Sequence, residues 1–472
     1  MPLAVDMDGT LVCGDTLWEA CVKLVVHKPW FALLLPFWLF RGKAGFKAAI
    51  SRHVTLNPAG LAYHAGVVNY LQQQKQQGRG LWLVTAANHS IADGVAAHHH
   101  GLFDGVLASD GEHNLSGRHK AATLVSRFGE KGFVYAGNAP VDLKVWQHAA
   151  GAVVVNGADA LVDKAKTLTQ LEHVIREPVA RSVFARILRA IRIHQWTKNL
   201  LLFVPLVLSH TWGQVDYVLT ILLAFIAFCC SASAIYIIND FVDLEADRQH
   251  PQKRHRPFAA GILPLYWGVI LAPLLLAIAF TLALHIDLKF TFTLLAYIVL
   301  TLAYSFLLKP YALLDVLALT SLYTLRIIGG AVAIHQVLSY WLLAFSMFIF
   351  LSLALSKRYS ELHNLKQLGT GKQRARGYHV EDLPIIIIFG ISSGYLAVLV
   401  TVLYINDLQA SALYTHPLWL WPVAMAVLYW ISRIWLLAHR GELHEDPVLF
   451  AIHDRASYVV TLLVAISLLL AI

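Results

Sequence analysis

From residue 197 to the end of the chain, apolar segments recur with only short polar interruptions between them. Most are about 20 residues long, the length that a helix needs to cross the hydrocarbon core of a bilayer. Residues 1–175 instead carry ordinary charge and short, strand-like apolar runs. The sequence therefore predicts a soluble domain followed by a multi-span membrane domain. Roughly nine segments qualify as spans: 197–209, 217–238, 263–285, 289–307, 312–333, 339–356, 383–404, 417–437 and 455–472.

The positive charge is distributed as in a membrane protein rather than as in a nucleic-acid-binding protein. The net charge is +8, and most Lys and Arg of the membrane half lie in the inner connections, which include 186–198, 248–256 and 357–376. The alternate connections, "HTWGQVD", "IHQVLSY" and "INDLQASALYTH", contain none, and Lys289 alone breaks the pattern. Because basic connections stay in the cytoplasm, we expect them and the soluble domain on the cytoplasmic side of the inner membrane. No cleavable signal peptide is expected before the first strand.

Polar residues follow the apolar runs of the soluble half in a fixed order. "LAVDMDGTLV" places Asp6 and Asp8 after a short strand, and "GLWLVTAANHS" places Thr85 at the end of another. Lys120 follows in "SGRHKAATL". Ligands of α/β sheets bind at the carboxyl ends of strands, and hydrolysis of a phosphate ester through an aspartyl phosphate needs a nucleophilic carboxylate, a second acid and cations. This half is predicted to be a phosphatase.

These motifs resemble the haloacid dehalogenase (HAD) superfamily of phosphatases, over residues 1 to about 165. The resemblance implies a Rossmann-like α/β domain in which Asp6 is the nucleophile and Asp8 the acid/base. It implies phosphate binding by Thr85 and Lys120, and a magnesium site made by Asp6, Asp8, Asn138 and Asp142. The superfamily usually has Asp where this chain has Asn138, so the site loses one negative charge. An inactive domain kept for regulation or docking is the alternative.

A helical insert is expected at residues 14–75, over the phosphatase site. Its segment "PWFALLLPFWLFRGK" is too short and too interrupted by proline to span a bilayer. Two interpretations stay open: the segment lies on the membrane surface and brings the site close to a lipid substrate, or it forms the core of a cap domain.

The stretch "NDFVDLEADRQHPQKRHRPFAAG", residues 239–261, gathers opposite charges at the end of an apolar segment. At 100° per residue, Asn239, Asp240, Asp243 and Asp247 are expected on one helix face. Carboxylates are costly beside a membrane unless they are compensated, and oxygen ligands of this kind suit Mg²⁺. The stretch therefore predicts a second magnesium site for a phosphorylated ligand. Cations that follow are candidates for phosphate binding: Lys253, Arg254 and Arg256, with Arg248 before them.

The pattern NxxxDxxxD with about nine spans resembles the UbiA superfamily of intramembrane prenyltransferases over residues 180–472. Typical members carry a second aspartate-rich motif after the sixth span, and the corresponding loop here has no DxxxD. The segments "RIHQWTKNLLLFVPL", "AYSFLLKPYALLDVLALTSLYTLRIIGGA" and "LSKRYSEL" are instead similar to the polyprenyl-phosphate phosphoribosyltransferase branch. That resemblance implies a lipid phosphate as acceptor and 5-phosphoribosyl diphosphate (PRPP) as donor.

Further cations of the membrane half are candidates for binding the two phosphorylated substrates. Arg326 lies in the middle of a span, where an ionisable residue is a functional candidate. Asp315 shares its helix face but stands about 16 Å away along the axis, so the two are not expected to pair; a structural role for either stays open. The other candidates are Gln195, Lys198, Lys357 and Arg358.

The expected activity is Mg²⁺-dependent transfer of 5-phosphoribosyl to a decaprenyl-type phosphate, after which the HAD domain removes the 5-phosphate. The alternative is an aromatic prenyltransferase that uses a prenyl diphosphate, with an inactive HAD domain; a transporter or lipid-binding scaffold is the non-enzymatic alternative. Partners are the bilayer, polyprenyl phosphate and PRPP, with no nucleic acid and an open oligomeric state. The predicted domains are 1–175 (HAD-like), 176–196 (amphipathic linker) and 197–472 (UbiA-like).

Overall fold

The chain folds into an α/β part followed by a helical part, as the sequence predicts. A computed structural model describes residues 1–40, 42–110, 114–177, 182–368, 374–443 and 447–472. These residues divide into two compact units. The first contains Met1–Ile191 and Tyr236–Ala272, and the second contains Arg192–Ile235 and Pro273–Ile472. The aspartate-rich stretch thus belongs to the same compact unit as the phosphatase-like domain.

A six-stranded, all-parallel sheet forms the centre of the first unit, with the strand order β3-β2-β1-β4-β5-β6. Parallel strands need crossover connections and are buried on both faces, which explains their nearly continuous apolar sequences. The strands are β1 (Leu3–Val5), β2 (Leu81–Asn88), β3 (Gly105–Ser109), β4 (Val134–Gly137), β5 (Gly151–Val155) and β6 (Gln170–Ile175).

Helices cover both faces of this sheet. Leu3 and Val5 belong to the core on one face and Ala4 to the core on the other, because side chains alternate along a strand. The first face is covered by α1 (Thr16–His27), α2 (Leu35–Leu39), α3 (Gly42–Ser51), α4 (Ala65–Gln76) and α5 (His89–His98). The second is covered by α6 (Arg118–Phe128), α7 (Leu143–Trp146) and α8 (Asp159–Leu168).

The helical insert expected at residues 14–75 is present as α1 to α4. Two short 3₁₀ turns, Pro29–Leu33 and Pro58–Gly60, interrupt it where proline occupies the first helical position. Asp15 caps the insert's first helix by accepting the Leu17 amide. A third 3₁₀ turn lies at Pro140–Asp142. Part of the predicted linker, residues 178–181, lies outside the described residues. The helix α9 (Val183–Ala190) follows it.

Among the described residues, seven helices are long and apolar enough to cross a membrane, so the count of nine spans is approximate. They are Val215–Val242, Leu265–Ile286, Leu288–Leu308, Leu314–Ala333, Tyr340–Gln367, Val380–Ile405 and Pro417–His439. The other two predicted spans are shorter: 197–209 forms the 3₁₀ stretch Ile193–Phe203 and a short helix, and 455–472 forms Arg455–Ala471. The chain is a multi-pass membrane protein.

The remaining elements are numbered in chain order. They are α10 (Val204–Leu208), α11 (Val215–Val242), α12 (Leu244–Gln249), α13 (Leu265–Ile286), α14 (Leu288–Ala303), α15 (Leu314–Ala333), α16 (Tyr340–Leu368), α17 (Leu383–Ile405), α18 (Leu408–Leu413), α19 (Trp421–His439), α20 (Pro447–His453) and α21 (Arg455–Ala471). A π-helical turn at Tyr304–Leu308 ends α14. Short 3₁₀ turns lie at Lys253–His255, Val380–Asp382 and Pro417–Leu420, and a small hairpin joins β7 (Arg374–Ala375) to β8 (Tyr378–His379).

Candidate active sites

The first candidate site lies where the central strand β1 ends. Asp6 follows Val5 directly and its amide donates to the carbonyl of Ala136 in β4, 3.0 Å away, which places this turn beside the end of that strand. Gly9 has φ +73°, and a Cβ at this residue would lie 2.3 Å from Nδ2 of Asn138. A glycine is required here because of both the left-handed backbone and the close approach of the amide.

A buried chain of polar contacts joins three predicted residues of this site. Nζ of Lys120 donates to Oδ1 of Asp6 at 2.7 Å and to the hydroxyl of Tyr135 at 2.9 Å. That hydroxyl donates to Oδ1 of Asp142 at 3.1 Å. Lys120 is 4% exposed, Tyr135 0% and Asp142 2%. The ammonium therefore compensates the predicted nucleophile, and Tyr135 links it to the acidic residue after β4.

Tyr135 was not predicted from the sequence. It lies inside β4, where an aromatic residue in an apolar run indicates packing rather than chemistry. Burial, together with the charges of Asp142 and Asp6, holds the pKa of its hydroxyl well above the usual range, so it remains a donor. Thr85 is also fully buried, and its hydroxyl accepts the amide of Ala87 at 3.0 Å.

Asp8 is placed to carry a proton. Its Oδ1 accepts the backbone amide of Thr16 at 2.9 Å, at the start of α1. Burial, with the charges of Asp15 and Asp6 adding to it, raises the pKa of the Asp8 carboxyl to about 7. A carboxyl group that titrates near neutral pH can donate a proton to a leaving oxygen and take one from water.

Asp142 and Asn138 are connected more closely than the sequence indicates. Oδ2 of Asp142 accepts the amides of Asn138 and Ala139 at 3.0 and 2.9 Å. Burial and the charge of Asp6 raise the pKa of Asp142 to about 6. Oδ1 of Asn138 accepts the Thr10 hydroxyl at 3.3 Å. Both oxygens of Asp142 are thus engaged by protein donors, and its carboxylate fixes the turn that carries Asn138.

The donor set at this edge of the sheet suits a hard cation. It consists of carboxylate and amide oxygens, the ligands that Mg²⁺ prefers. Burial, with the charge of Asp6 adding to it, raises the pKa of Asp8 and of Asp142, so a cation would stabilise their charged forms. Among the described residues, no group of at least three His, Cys, Asp or Glu side chains converges as a complete metal cage. Asp6, Asp8 and Asn138 fit a cation that takes its other ligands from water or substrate.

The second candidate site is the aspartate-rich segment, residues 239–261. The single helix expected there is interrupted: α11 ends at Val242, α12 starts at Leu244, and Asp243 lies at the junction. Backbone bonds nevertheless continue at helical spacing, from the Asp243 amide to Asn239 and from the Asp247 amide to Asp243, at 2.9 and 2.7 Å. The predicted register is preserved across the junction, although α12 is a separate helix.

Arg256 joins two of the carboxylates of this segment. Its Nη1 donates to Oδ1 of Asp240 at 3.3 Å and to Oδ2 of Asp247. The Asp240 and Asp247 residues are 3% and 1% exposed, and Lys253 lies 3.8 Å from the second carboxyl of the pair. Two aspartates seven residues apart therefore face one cation, as expected for residues on one helix face. Arg254, by contrast, is exposed.

Arg248 lies apart from the predicted phosphate-binding group. Its guanidinium donates to the carbonyls of Gly60 and Ala259 at 2.7 and 3.1 Å and forms an ion pair with Glu19 in α1. Its donors are occupied by the protein in this structure, so phosphate binding by Arg248 stays a prediction that the observed contacts do not support. A sequence offers no signal for such a partner 229 residues away.

In the second unit, Arg326 is 6% exposed within α15. Its Nε donates to Oδ1 of Asn199 at 2.8 Å and its Nη2 to the Tyr297 hydroxyl at 3.0 Å. The guanidinium also lies over the rings of Tyr297 and Tyr323. Its contacts are to neutral groups, which leaves the cation without a carboxylate partner among the described residues.

Arg358 is enclosed in an ionic network, also in the second unit. Its Nε donates to Oδ2 of Asp315 at 2.5 Å, its Nη1 to Glu361 at 2.6 Å and its Nη2 to the Tyr304 hydroxyl at 3.2 Å. Tyr378 donates to the other oxygen of Asp315 at 2.7 Å. Arg358 is 1% exposed, so all three of its nitrogens serve the protein interior. Asp315 and Arg326 do not pair, as predicted.

The remaining predicted residues of the membrane half lie in two elements of the second unit. Gln195 and Lys198 belong to the 3₁₀ stretch Ile193–Phe203, and Lys357 precedes Arg358 in α16. All three side chains are half-buried. Asn199, which holds Arg326, was missed because a lone asparagine in an apolar segment carries no distinctive signal.

Comparison with known proteins agrees with this architecture. Residues 200–469 match the UbiA prenyltransferase family, and residues 3–147 match the haloacid dehalogenase-like hydrolases. The chain belongs to the UbiA prenyltransferase family. An uncharacterised protein, y4nM, of Sinorhizobium fredii is 38% identical over 473 residues, covering 100% of this chain and 91% of the relative. UbiA and HAD parts are therefore joined in this chain, and the similarity to y4nM extends over both.

Other relatives of this UbiA-family chain match it in part. The nodulation protein NoeC of Azorhizobium caulinodans is 35% identical over 298 residues, 62% of this chain and 95% of NoeC. A decaprenyl-phosphate phosphoribosyltransferase of Mycobacterium tuberculosis is 36% identical over 208 residues, 43% of this chain and 68% of that enzyme. The chain is thus a UbiA-type prenyltransferase-family enzyme with phosphoribosyltransferase homologues and a HAD domain.

Proposed function

We propose that the membrane domain transfers a 5-phosphoribosyl group from PRPP to a polyprenyl phosphate. The observation that carries this proposal is the 36% identity to a decaprenyl-phosphate phosphoribosyltransferase. An oxygen of the lipid phosphate attacks C1 of the ribose, the bond from C1 to the diphosphate breaks, and pyrophosphate leaves. The acceptor is already an anion, so this step needs no general base. It needs compensation of the negative charge that develops on the leaving diphosphate.

The aspartate-rich segment is suited to that task. Asp240 and Asp247 are buried and face one direction, and Asp243 lies between them. Magnesium bound by these carboxylates would neutralise the leaving diphosphate. Arg256, which now joins Asp240 and Asp247, would turn to the diphosphate once a divalent cation compensates the two carboxylates. We propose that this site faces the cytoplasm, where the positive-inside pattern puts the basic connections.

We propose further that the HAD domain removes the 5-phosphate from the lipid-linked product. Asp6 attacks phosphorus, the bond from phosphorus to the C5 oxygen breaks, and Asp8 gives its proton to that oxygen. Water then attacks the aspartyl phosphate while Asp8 takes the proton back. Lys120, 2.7 Å from Asp6, and Thr85 would donate to the phosphoryl oxygens, and the Asp8 pKa of about 7 suits both directions of proton transfer.

A doubly labelled donor tests both steps at once. Purified protein in detergent would receive Mg²⁺, a long-chain polyprenyl phosphate and PRPP labelled in the ribose and in the 5-phosphate. Ribose label in the lipid phase with phosphate label in water is the expected result. In the Asp6→Asn variant, both labels should stay with the lipid. If neither label enters the lipid phase and the protein accepts a prenyl diphosphate instead, the alternative prenyltransferase activity is established. The phosphoribosyl proposal is then wrong.

A further inference from the structure

An apolar ridge projects from the insert of the HAD domain. It consists of Trp30, Leu33, Leu34, Phe37 and Phe40, on the 3₁₀ turn Pro29–Leu33, on α2 and at the two ends of α2. Their exposed fractions are 74%, 75%, 43%, 67% and 89% respectively. A soluble domain rarely exposes so many large apolar side chains in one short segment, and such patches mark interaction sites.

The ridge is held outward by residues of the same segment that point inward. Phe31, Leu35 and Trp38 pack against the core under the first face of the sheet. The rings of Phe31 and Trp38 lie 5.6 Å apart, and His53 stacks on Trp38 at the same distance. Burying these three side chains leaves the ridge residues no place in the core. The segment is therefore amphipathic. A role in the core of a cap domain explains the inward face but not the exposed ridge.

The charge around the ridge indicates what covers it. Between Glu19 and Asp93 the sequence contains no acidic residue, while residues 20–52 carry Lys23, Lys28, Arg41, Lys43, Lys47 and Arg52. Lys28 and Arg52 are exposed in the structure. Large apolar side chains flanked by cations match an anionic lipid surface, where each cation near the headgroups contributes about 1 kcal/mol.

A second patch of exposed apolar and basic side chains lies in the segment that follows the last strand of the HAD domain. Only residues 176–192 separate β6 from the first element of the second unit. Within them, α9 exposes Val183 and Phe184, at 43% and 68%, and also Arg189. The same combination of exposed apolar and basic side chains thus recurs where the chain leaves the α/β domain.

We propose that the ridge inserts into the headgroup region of an anionic bilayer and docks the phosphatase site on the lipid surface. Trp and Phe are well suited to this depth, because their rings are accommodated between headgroups and acyl chains. The docking gives the HAD domain access to phosphate esters that remain embedded in the membrane.

Spin-label accessibility on the full chain in lipid nanodiscs tests this docking directly. Labels would be placed at Phe40→Cys and Leu33→Cys, with Lys166→Cys on α8, the opposite face of the sheet, as control. In discs containing phosphatidylglycerol, the ridge labels should lose access to a water-soluble nickel chelate several-fold and gain access to oxygen. The control label should remain open to nickel. The wild-type chain, whose cysteines are buried or half-buried, gives the background.

Two results would overturn the docking, and a third would overturn its preference for anionic lipid. Ridge labels as open to nickel as the control label would mean that no bilayer covers them. Equal protection in detergent would mean that protein, such as a second copy of the chain, covers them. Equal protection in discs of phosphatidylcholine alone would remove the anionic part of the inference. None of these readouts requires turnover, so they stand apart from the proposed reaction.

A hydrolysis assay adds a functional readout that does rest on the proposed reaction. The double variant Phe37→Ser/Phe40→Ser should release phosphate from the lipid-linked product in discs several-fold more slowly. Its hydrolysis of a soluble ester such as p-nitrophenyl phosphate should be unchanged, because neither residue contacts the catalytic carboxylates. Unchanged rates on both substrates would contradict a role of the ridge in substrate access.

Discussion

Arg248 of the aspartate-rich segment and Glu19 of α1 form a two-bond ion pair, with Nη2–Oε1 at 2.5 Å and Nη1–Oε2 at 3.2 Å. The side chains are 9% and 6% exposed. The same helix begins at Thr16, whose amide binds Asp8. One short helix therefore contacts the predicted acid of the phosphatase at its start and the aspartate-rich segment one turn later.

The first prediction concerns this pair. In Glu19→Gln the Arg248 guanidinium stays buried without a counter-charge, and breaking a buried ion pair costs about 3–5 kcal/mol. We expect faster hydrogen exchange in residues 244–260 and a large loss of lipid-dependent transfer. Hydrogen exchange with mass spectrometry and the ribose-label assay measure these effects.

A matched control is available on the same helix. Lys23 pairs with Glu245 at 2.6 Å, but the side chains are 23% and 44% exposed, so Lys23→Met should cost at most about 1 kcal/mol. Exchanging the charges, with Glu19→Arg and Arg248→Glu together, should restore part of the protection. If Glu19→Gln exchanges no faster than Lys23→Met, the pair does not fix the segment.

These contacts also mark the limit of what the sequence predicts. Features that depend on the local spacing of residues were predicted correctly. They are the α/β sheet, most of the spans and the common face of Asp240 and Asp247. The contacts of Arg248 and Tyr135 were not predicted, because they depend on partners that only the tertiary fold brings close. A charged residue in a basic run and an aromatic residue in a strand look the same whether they bind a ligand, a carboxylate or the core.

The second prediction concerns Asn138, the departure from the usual HAD pattern. Replacing it by Asp adds a carboxylate to the site of Asp8 and Asp142, whose pKa values burial and the charge of Asp6 already raise. Without a divalent cation, Asn138→Asp should lower the thermal midpoint. With Mg²⁺ the midpoint should rise by more than in the wild type, because a cation relieves the added repulsion.

A magnesium titration of thermal unfolding checks this, with hydrolysis of p-nitrophenyl phosphate as a second readout. Asn138→Ala, which removes the oxygen without adding charge, should show the smallest magnesium response of the three proteins. Identical responses in all three would mean that residue 138 does not approach the cation.

The third prediction distinguishes a structural role of Tyr135 from a catalytic role of Lys120 in the HAD site. Tyr135→Phe removes the hydroxyl between Lys120 and Asp142 and leaves their buried polar atoms short of a partner, which costs about 1–3 kcal/mol. Lys120→Met removes the cation 2.7 Å from Asp6. We expect Tyr135→Phe to lower stability with part of the hydrolysis retained, and Lys120→Met to abolish hydrolysis. Comparable activity loss in both variants would give the tyrosine a direct catalytic role.

The last prediction compares two neighbouring cations of α16, which the sequence presents as equivalent. Arg358 is 1% exposed and its nitrogens donate to Asp315, Glu361 and Tyr304. Lys357 is half-buried. Arg358→Met leaves Asp315 buried without its cation, so it should cost about 3–5 kcal/mol. Arg358→Lys should recover only part of this, because an ammonium cannot reproduce the planar fork of donors.

Lys357→Met should instead change the thermal midpoint less than Arg358→Met does and raise the KM for PRPP, because this side chain is only half-buried and its ammonium suits a phosphate oxygen. Thermal unfolding in detergent and steady-state transfer kinetics distinguish the two effects. The double variant Asp315→Asn/Arg358→Met, which removes both charges of the buried pair, should be more stable than Arg358→Met alone, since no uncompensated carboxylate remains. A rise in KM for Arg358→Met at an unchanged midpoint would assign this arginine to substrate binding after all.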